Sequence, residues 1–365
     1  MLEIDGSYGE GGGALLRTAL ALSTLTNKPF KIKDIRSGRK KPGLKAQHLC
    51  GIKALKEITG AKASEIKLGV TEIWFQPGKI KSGDYTFDIG TAGSITLFLQ
   101  TILLPCLFAP GKISITIKGG TCGKWQASVD YLQHILIPHL NKFVKNITLK
   151  ILKRGYFPKG GGEISVEISP RFKLNKHKGY VGLLEEINSK VKNIDLSKQG
   201  ELEQFKGVIN MSLELTENNF DEKVINSLKN LLRPFNVPVN ISSEIRQTQS
   251  IGGELLIWSK HSNKQKEIDL DNPIQLSGDA LITINSSPID VAKEAVEEMV
   301  KELSSFGAVD KFLCDQLLQF VALKENSKIV ASEITMHSKT NIFIIEKFLP
   351  IKFQVEGDNI IILKK

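Results

Sequence analysis

The stretch DGSYGEGGG, residues 5–13, followed by the apolar run from Ala14, decides how this chain begins to fold. Five of its nine residues are glycine, and they surround a single carboxylate, Glu10. Leu15, Leu16 and Leu20 then follow at helical spacing, which predicts a loop leading into a helix. Glycines let backbone N–H groups approach an anion, and a helix N-terminus adds partial positive charge. The stretch predicts either a phosphate-binding loop in which Glu10 holds a divalent metal, or a glycine-rich turn with a solvated glutamate.

The loop does not fit the two common phosphate-binding patterns. It lacks the Gly-Lys-Ser/Thr ending of a Walker loop and the strand–GxGxxG–helix spacing of a dinucleotide fingerprint. The chain has 365 residues and a net charge of +10, which suits an anionic partner. The charge is concentrated, since seven basic residues against one acid lie between Lys31 and Lys45. This segment predicts either a binding loop for phosphate or a solvated basic loop.

Cysteine usage and hydropathy indicate the compartment. The four cysteines lie far apart and form no CxxC pair, which argues against a zinc site and a disulfide framework. The first residues are strand-like at 2–4 and lack the basic n-region and apolar h-region of a signal peptide, and the most apolar segment, 95–108, is too short to cross a bilayer. We expect a soluble cytoplasmic protein with no membrane partner.

The hydrophobic pattern recurs as a unit of strand, helix and strand. The first unit starts with the alternating strand 30–35, the second with 113–117 and the third with 281–284. A second feature overlays the first, since loops before residues 14, 95 and 342 each lead into an apolar helix. These recurrences predict a mixed α/β (α+β) fold with a large domain of three repeated units in a pseudo-threefold arrangement.

Residues 179–270 break this rhythm. A polar segment rich in Lys, Glu and Ser is followed by strands and a helix that belong to no repeated unit. We predict a small inserted α/β domain over 179–270, and a catalytic repeat-built domain over 1–178 and 271–365.

Further motifs follow the glycine loop in a fixed order. They are IRSGRKKPGL at 35–44 with QHL at 47–49, RGYFPKGGG at 154–162, DQL at 315–317 and HSKTN at 337–341. Together the motifs closely resemble those of the RNA 3′-terminal phosphate cyclases, in an archaeal-like form, from Asp5 to Val355. The wider relatives of that family are the enolpyruvyl transferases, which share a repeat-built architecture.

The resemblance implies an ATP-dependent, ligase-type enzyme of RNA processing. Its expected substrates are ATP and an RNA with a 3′-phosphate end, and its expected products are a 2′,3′-cyclic phosphate, AMP and pyrophosphate. The family works through a covalent histidine–AMP intermediate. His337 matches the nucleophile, and neutral imidazole suits this role near pH 7.

The resemblance also implies roles for other residues. Glu10 matches the ligand of a divalent metal, Mg or Mn. The ATP contacts implied are Glu10, Arg17, Gln47, Tyr131, Phe312, Asp315 and Gln316. Arg36 and Arg39 are the candidates for the RNA terminal phosphate, because a guanidinium fork suits phosphate.

Several of these residues have a second interpretation. By helical periodicity alone, Tyr131 and Phe312 would be core residues and Asp315 a carboxylate at a helix start. Phe312 stands where many relatives carry an aromatic with a hydroxyl, and segment 122–128 lacks the proline of the bacterial version. If His337 is not the nucleophile, His48 is the next candidate, although it is interpreted as structural.

Two rival functions stay open. The family has non-catalytic relatives in ribosome assembly that keep the fold but lose the nucleophile, and the enolpyruvyl transferases share the architecture without needing ATP. The presence of Glu10, Arg36, Arg39 and His337 favours the enzyme. The physiological RNA, the preferred metal, the role of the insert and a homo-oligomeric state are left open by the sequence.

Overall fold

A computed structural model describes residues 1–9, 11–263 and 265–364. The strands are β1 Leu2–Asp5, β2 Phe30–Lys33, β3 Lys62–Ala63, β4 Ile73–Gln76, β5 Gly83–Asp88, β6 Ile113–Gly119, β7 Val144–Lys153, β8 Gly162–Pro170, β9 Asp195–Leu196, β10 Glu201–Ser212, β11 Val239–Arg246, β12 Gly253–Ser262, β13 Ser277–Ile282, β14 Lys328–Val330, β15 Ile351–Glu356 and β16 Asn359–Lys364. The helices are α1 Ala14–Thr26, α2 Ala46–Thr59, α3 Ile95–Cys106, α4 Val129–Tyr131, a π-helical turn Leu132–Leu136, α5 Ile137–Leu140, α6 Tyr180–Lys190, α7 Phe220–Leu232, α8 Pro288–Ser304, α9 Lys311–Val321 and α10 Met336–Phe348. Short 3₁₀ turns are Asn141–Phe143, Leu174–Lys176, Leu213–Leu215, Glu217–Asn219 and Arg233–Phe235.

Three four-stranded sheets share one strand order within the described part of the chain. The orders are β1-β2-β4-β3, β5-β6-β8-β7 and β9-β14-β16-β15. In each sheet the first pair of strands is parallel and the other two pairs are antiparallel. The predicted mixed α/β class is confirmed. The shared order supports the interpretation of three pseudo-threefold units, each running strand, helix, strand, helix, strand, strand.

The large core forms around α1. Every residue of this helix is buried, because all of its side chains except that of Arg17 are apolar or small and α2, α3 and α10 pack around it. The glycine loop follows β1 and the basic loop follows β2, so both lie at the carboxyl edge of one parallel pair.

A second, smaller core belongs to the sheet β11-β10-β12-β13, which α7 and α8 cover on one face. We assigned the strand and helix from Leu281 onward to the third repeated unit. They are β13, which is a strand of this sheet, and α8, which packs on it, so that part of the prediction is wrong. The hydrophobic pattern of a segment indicates whether it is a strand or a helix, but it does not show which sheet the strand joins. The first strand of the third unit is instead β9, which pairs with β14.

These contacts bear on the limits of the insert. The side chains of Leu183 and Ile187 on α6 belong to the large core, whereas α8 packs into the small one. We therefore propose an insert that runs from β10 to α8. The side-chain nitrogen Nε2 of Gln199 donates to the backbone carbonyls of Leu303 and Gly307, both at 3.1 Å. These bonds join the two points where the chain passes between the large domain and the proposed insert.

A buried ionic group joins the two cores. The Arg154 guanidinium forms ion pairs with Asp130 of the large domain and Glu244 of β11. Asn210 of β10 donates to the same Asp130 at 3.1 Å and accepts from the Tyr156 hydroxyl at 2.8 Å. Removing one partner of a buried ion pair is costly, so this group fixes the insert against the glycine-rich segment 154–162.

Candidate active site

The glycine loop is packed so closely that its glycines cannot be replaced freely. Gly9 has φ +69°, and a Cβ there would lie 2.4 Å from the Thr340 hydroxyl of α10. A Cβ at Gly13 would lie 2.5 Å from the His48 ring. The loop therefore lies between α10 and the first turn of α2, and glycine, which has no Cβ, allows its backbone to approach both helices closely. Glu10, predicted to be the metal ligand, lies outside the described residues.

His337 lies in the first turn of α10, not in a loop as predicted. Thr335 caps this helix by accepting from the Ser338 amide at 3.2 Å, so His337 is the second helical residue, and it is half-buried. Thr340 and Asn341 follow it by three and four positions, which places the three residues on one face of the helix. Since Thr340 touches the glycine loop, His337 lies on the face that adjoins this loop.

Asn341 joins three helices at this point. Its side-chain oxygen accepts from the Thr18 hydroxyl of α1 at 2.8 Å, and its nitrogen donates to the Asp315 carbonyl of α9 at 2.8 Å. Two residues further along α10, the Phe343 ring stacks on that of Tyr8 at 3.8 Å between centroids. These contacts hold α10 against the start of α1 and against α9.

Arginines from the basic loop and from α1 converge beside the glycine loop. Arg17 is buried in α1 and donates through Nε to Gln100 of α3 at 2.9 Å. Burial lowers the pKa of Arg17 to about 10, with Asp315 opposing the shift and Arg36 adding to it. Burial and then Arg39 lower the pKa of Arg36. Cations that depress one another's pKa values in this way form a site that favours a multivalent anion.

The basic loop is ordered by its own arginine. Arg36 has φ +58° and donates through Nη1 to the carbonyls of Lys41 at 2.8 Å and Gly43 at 3.2 Å. Arg39 is exposed, and its guanidinium would lie 3.2 Å from a Cβ at Gly12. The loop after β2 therefore folds onto the glycine loop after β1.

The first turn of α2 carries Gln47, which is half-buried, and His48, which is 2% exposed. The His48 Nδ1 accepts from the Lys45 amide at 3.0 Å, so the neutral ring carries its proton on Nε2. That Nε2 has no hydrogen-bond partner among the described residues. Burial, then Arg17, Arg36 and Lys45, lower the pKa of His48 to about 3, so the ring is neutral at physiological pH.

Helix α9 brings three of the predicted ATP contacts together. Its cap is Asp310, so Asp315 lies in the second turn and is not a carboxylate at the helix start. Gln316 is buried and donates to the Phe312 carbonyl at 3.1 Å, and its side chain lines a small cavity that Gln100 also lines. Phe312 is 40% exposed, with the Lys311 ammonium 4.8 Å from its ring centroid. Its exposure differs from the core position that periodicity predicted.

Tyr131 is 3% exposed, and its hydroxyl donates to Asp310 at 2.7 Å. Asp310 also accepts from the Ser277 hydroxyl at 2.8 Å and from the Phe312 and Leu313 amides at the start of α9. The core position predicted from periodicity for Tyr131 agrees with this burial. Its role as an adenine contact stays a prediction.

Tyr131→Phe should lower stability more than it affects nucleotide binding. The substitution leaves a buried carboxylate short of one donor, which costs about 1–3 kcal/mol of unfolding free energy. Urea unfolding measures this cost. The control is Tyr85→Phe. The Tyr85 hydroxyl makes an exposed contact of 3.4 Å with the Lys81 carbonyl, and its loss should lower the free energy of unfolding by under about 0.5 kcal/mol. Equal unfolding midpoints for the two variants would contradict the structural role of Tyr131.

Some members of this site were not identified from the sequence. Neither Gln100 nor Asp310 was among the candidate residues. Buried polar side chains form hydrogen bonds, so a glutamine within the apolar segment of α3 was a signal that Gln100 contacts another polar residue. For Asp310 the signal was its place immediately before an apolar-periodic segment, where helix caps occur.

The described residues contain no helix long and apolar enough to cross a membrane. Among the same residues, no three side chains of the His, Cys, Asp or Glu type are grouped as a metal site.

Comparison with known proteins agrees with the motifs. The model of the family "RNA 3′-terminal phosphate cyclase" matches residues 8–355. The chain belongs to this family. An RNA 3′-terminal phosphate cyclase of Archaeoglobus fulgidus is 37% identical over 99% of this chain and 100% of its own length. Proteins of the same description from Thermococcus onnurineus and Methanopyrus kandleri are 37% and 32% identical, each over 98% of this chain and 96% of their own length.

These matches confirm the family predicted from the five motifs. They also confirm the assignment to a group of ligase-type enzymes of RNA processing. The cyclase relatives are archaeal, as the form of the motifs indicated.

Proposed function

We propose that this chain converts an RNA 3′-terminal phosphate to a 2′,3′-cyclic phosphate with consumption of ATP, through a covalent AMP on His337. The observation that carries the proposal is the convergence of Arg17, Arg36 and Arg39 on a glycine loop that touches the helix of His337. A polyphosphate fits this cluster, because its charge would relieve the mutual repulsion of the guanidinium groups.

The chemistry assigned to His337 is nucleophilic. Its ring nitrogen attacks the α-phosphorus of ATP, forming an N–P bond while the bond to pyrophosphate breaks. The AMP then passes to an oxygen of the RNA 3′-phosphate, which frees the imidazole. The neighbouring 2′-hydroxyl attacks the 3′-phosphorus, its proton is lost, and AMP leaves. The first turn of α10 favours this position because a helix N-terminus stabilises negative charge.

The remaining predicted contacts are proposed in two groups. Arg17, Gln47, Asp315 and Gln316 would contact ATP, with Tyr131 and Phe312 on the adenine side. Arg36 and Arg39 would hold the RNA terminal phosphate. Their loop adjoins the Arg17 site, so the two phosphates would lie side by side.

Glu10 is proposed as the ligand of a divalent metal, Mg or Mn. Carboxylate oxygens are the ligands these ions prefer, and a bound ion would supply charge neutralisation as pyrophosphate leaves. The Glu10→Ala variant should adenylylate slowly and depend less steeply on divalent ion concentration. Glu3→Ala, an exposed change on β1, is the matched control. If metal titrations of the Glu10 variant and wild type coincide, Glu10 is not a ligand.

Incubation with ATP labelled at the α-phosphate tests the function. The proposed enzyme becomes covalently labelled and, on addition of a 3′-phosphorylated oligonucleotide, loses the label as cyclic ends form. A non-catalytic RNA-binding or ribosome-assembly relative, the alternative function, would take up no label. An enolpyruvyl-transfer enzyme would take up none either.

The proposed partner is an RNA with a 3′-phosphate end, and the proposed location is the cytoplasm. All four cysteines are free thiols, as a reducing compartment allows. A homo-oligomeric state stays a prediction.

A further inference from the structure

A polar cleft lies at the edge of the second sheet, away from the residues assigned above. Its volume is about 340 Å³, similar to that of small-molecule sites, but its lining is charged and not apolar. Lys118, Lys153 and Lys159 line it, together with Asp88, Glu163, Gln249 of the insert, and residues of two glycine-bearing loops, the one after β5 and the one between β7 and β8. Such a lining suits a phosphodiester backbone better than an apolar ligand.

The cleft has the same place in the second unit that the active site has in the first. The strands β5, β6 and β7 run in one direction and end at the cleft with Asp88, Gly119 and Lys153. The loop after β5 then leads into α3, as the loop after β1 leads into α1. A Cβ at Gly160 would lie 2.0 Å from the Thr91 carbonyl, so glycine allows the two loops to close the cleft floor.

Two of the three lysine ammonium groups are available to pair with an anionic ligand. Lys153 pairs with Glu163 at 3.3 Å, whereas Lys118 and Lys159 form no ion pair with a described residue. All three side chains are exposed. Phe157, two residues before Lys159, is 78% exposed and offers a ring on which a base could stack.

The cleft is joined to the active site through α2. The Cys50 thiol lies 3.7 Å from the carbonyl of Asp88, which is in the cleft wall. About one turn earlier, roughly 6 Å along the helix axis, α2 begins at Ala46, beside Gln47 and the end of the basic loop. A strand of RNA held at Arg36 and Arg39 can therefore continue past α2 to the lysines.

We propose, on the basis of the RNA-end function above, that this cleft binds the sugar–phosphate backbone of the RNA upstream of its 3′ end, with Phe157 stacking on a base. Lysines here give affinity that depends on salt and not on sequence. The insert shapes the cleft through Gln249 and through Ser250, whose hydroxyl accepts from the Lys159 amide at 3.0 Å. The insert would then serve to position the RNA.

The test compares two triple variants that lose the same charge. Lys118, Lys153 and Lys159 are changed to alanine in one, and Lys81, Lys112 and Lys145, exposed at the opposite edge of the same sheet, in the control. Fluorescence anisotropy measures binding of 3′-phosphorylated oligonucleotides of about three and about twelve nucleotides over a range of salt. The cleft variant should bind the longer RNA roughly ten- to thirtyfold more weakly, with a log–log salt slope reduced by about 2.

Three further results decide the proposal. Covalent AMP formation and cyclisation of the short RNA should match wild type, so failure of the enzymatic function and failure of the cleft are distinguishable. Phe157→Ala should weaken binding of the longer RNA severalfold with little change in salt slope, while Phe306→Ala, equally exposed at 78%, should not. Equal losses in the cleft and control variants, or equal losses with short and long RNA, would overturn the proposal.

Discussion

The His337→Ala variant is expected to take up no AMP from labelled ATP, a loss of roughly a thousandfold or more, because the attacking nitrogen is gone. The half-buried ring lies in the first turn of α10, where alanine keeps the helix and the Thr335 cap in place. Stability should therefore change by about 1 kcal/mol or less. Gel separation after incubation with α-labelled ATP measures the adduct, and circular dichroism verifies the fold.

His177→Ala is the matched control for this experiment. That ring is also half-buried, lies 3.0 Å from Glu186 and should be irrelevant to labelling. The wild-type label should also be lost in mild acid, as a phosphoramidate is. Labelling of the His337 variant at wild-type level would move the nucleophile elsewhere, and His48, whose Nε2 faces Gly13, would be examined next.

The double variant Arg36→Ala/Arg39→Ala should separate the two half-reactions. Losing a charge-assisted phosphate contact costs about 1.5–3 kcal/mol, which is roughly ten- to a hundredfold per arginine in RNA cyclisation. Adenylylation should persist, reduced by no more than about tenfold through the proximity of Arg36 to Arg17. Single-turnover assays of each step measure the two effects. The RNA-binding defect should shrink when the RNA lacks its 3′-phosphate.

Lys40→Ala/Lys41→Ala is the control, since it removes the same charge from exposed positions of the same loop. Because the Arg36 side chain also holds this loop closed, Arg39→Ala alone gives the cleaner measure of phosphate contact. Equal loss of adenylylation and cyclisation in the double variant would place the arginines in the ATP site and overturn their assignment.

The positions of the glycine loop and the basic loop could be predicted from the sequence, because each loop directly follows a strand. A glycine loop and a basic loop that follow neighbouring parallel strands end at the same sheet edge, as those after β1 and β2 do. The helix after the glycine loop was readable from the spacing of Leu15, Leu16 and Leu20.

The rest depends on packing between distant segments. His337 was predicted in a loop because the motif HSKTN is polar, although Thr335 offered a readable helix cap. The interaction of Arg17 with Gln100 joins residues 83 positions apart and has no local pattern. The strand from Leu281 has ordinary alternation, and only its pairing with β12 shows which sheet it joins.

The place of the insert has a consequence for the order of folding. Strand β9 must find β14 across about 130 intervening residues, and the entropy lost in closing such a loop rises with its length. If the insert folds first, Gln199 joins its two ends and shortens the effective loop to about 30 residues, which lowers the closure cost by about 1 kcal/mol. The third sheet should then be the last to gain protection from hydrogen exchange during refolding, after the insert's own strands.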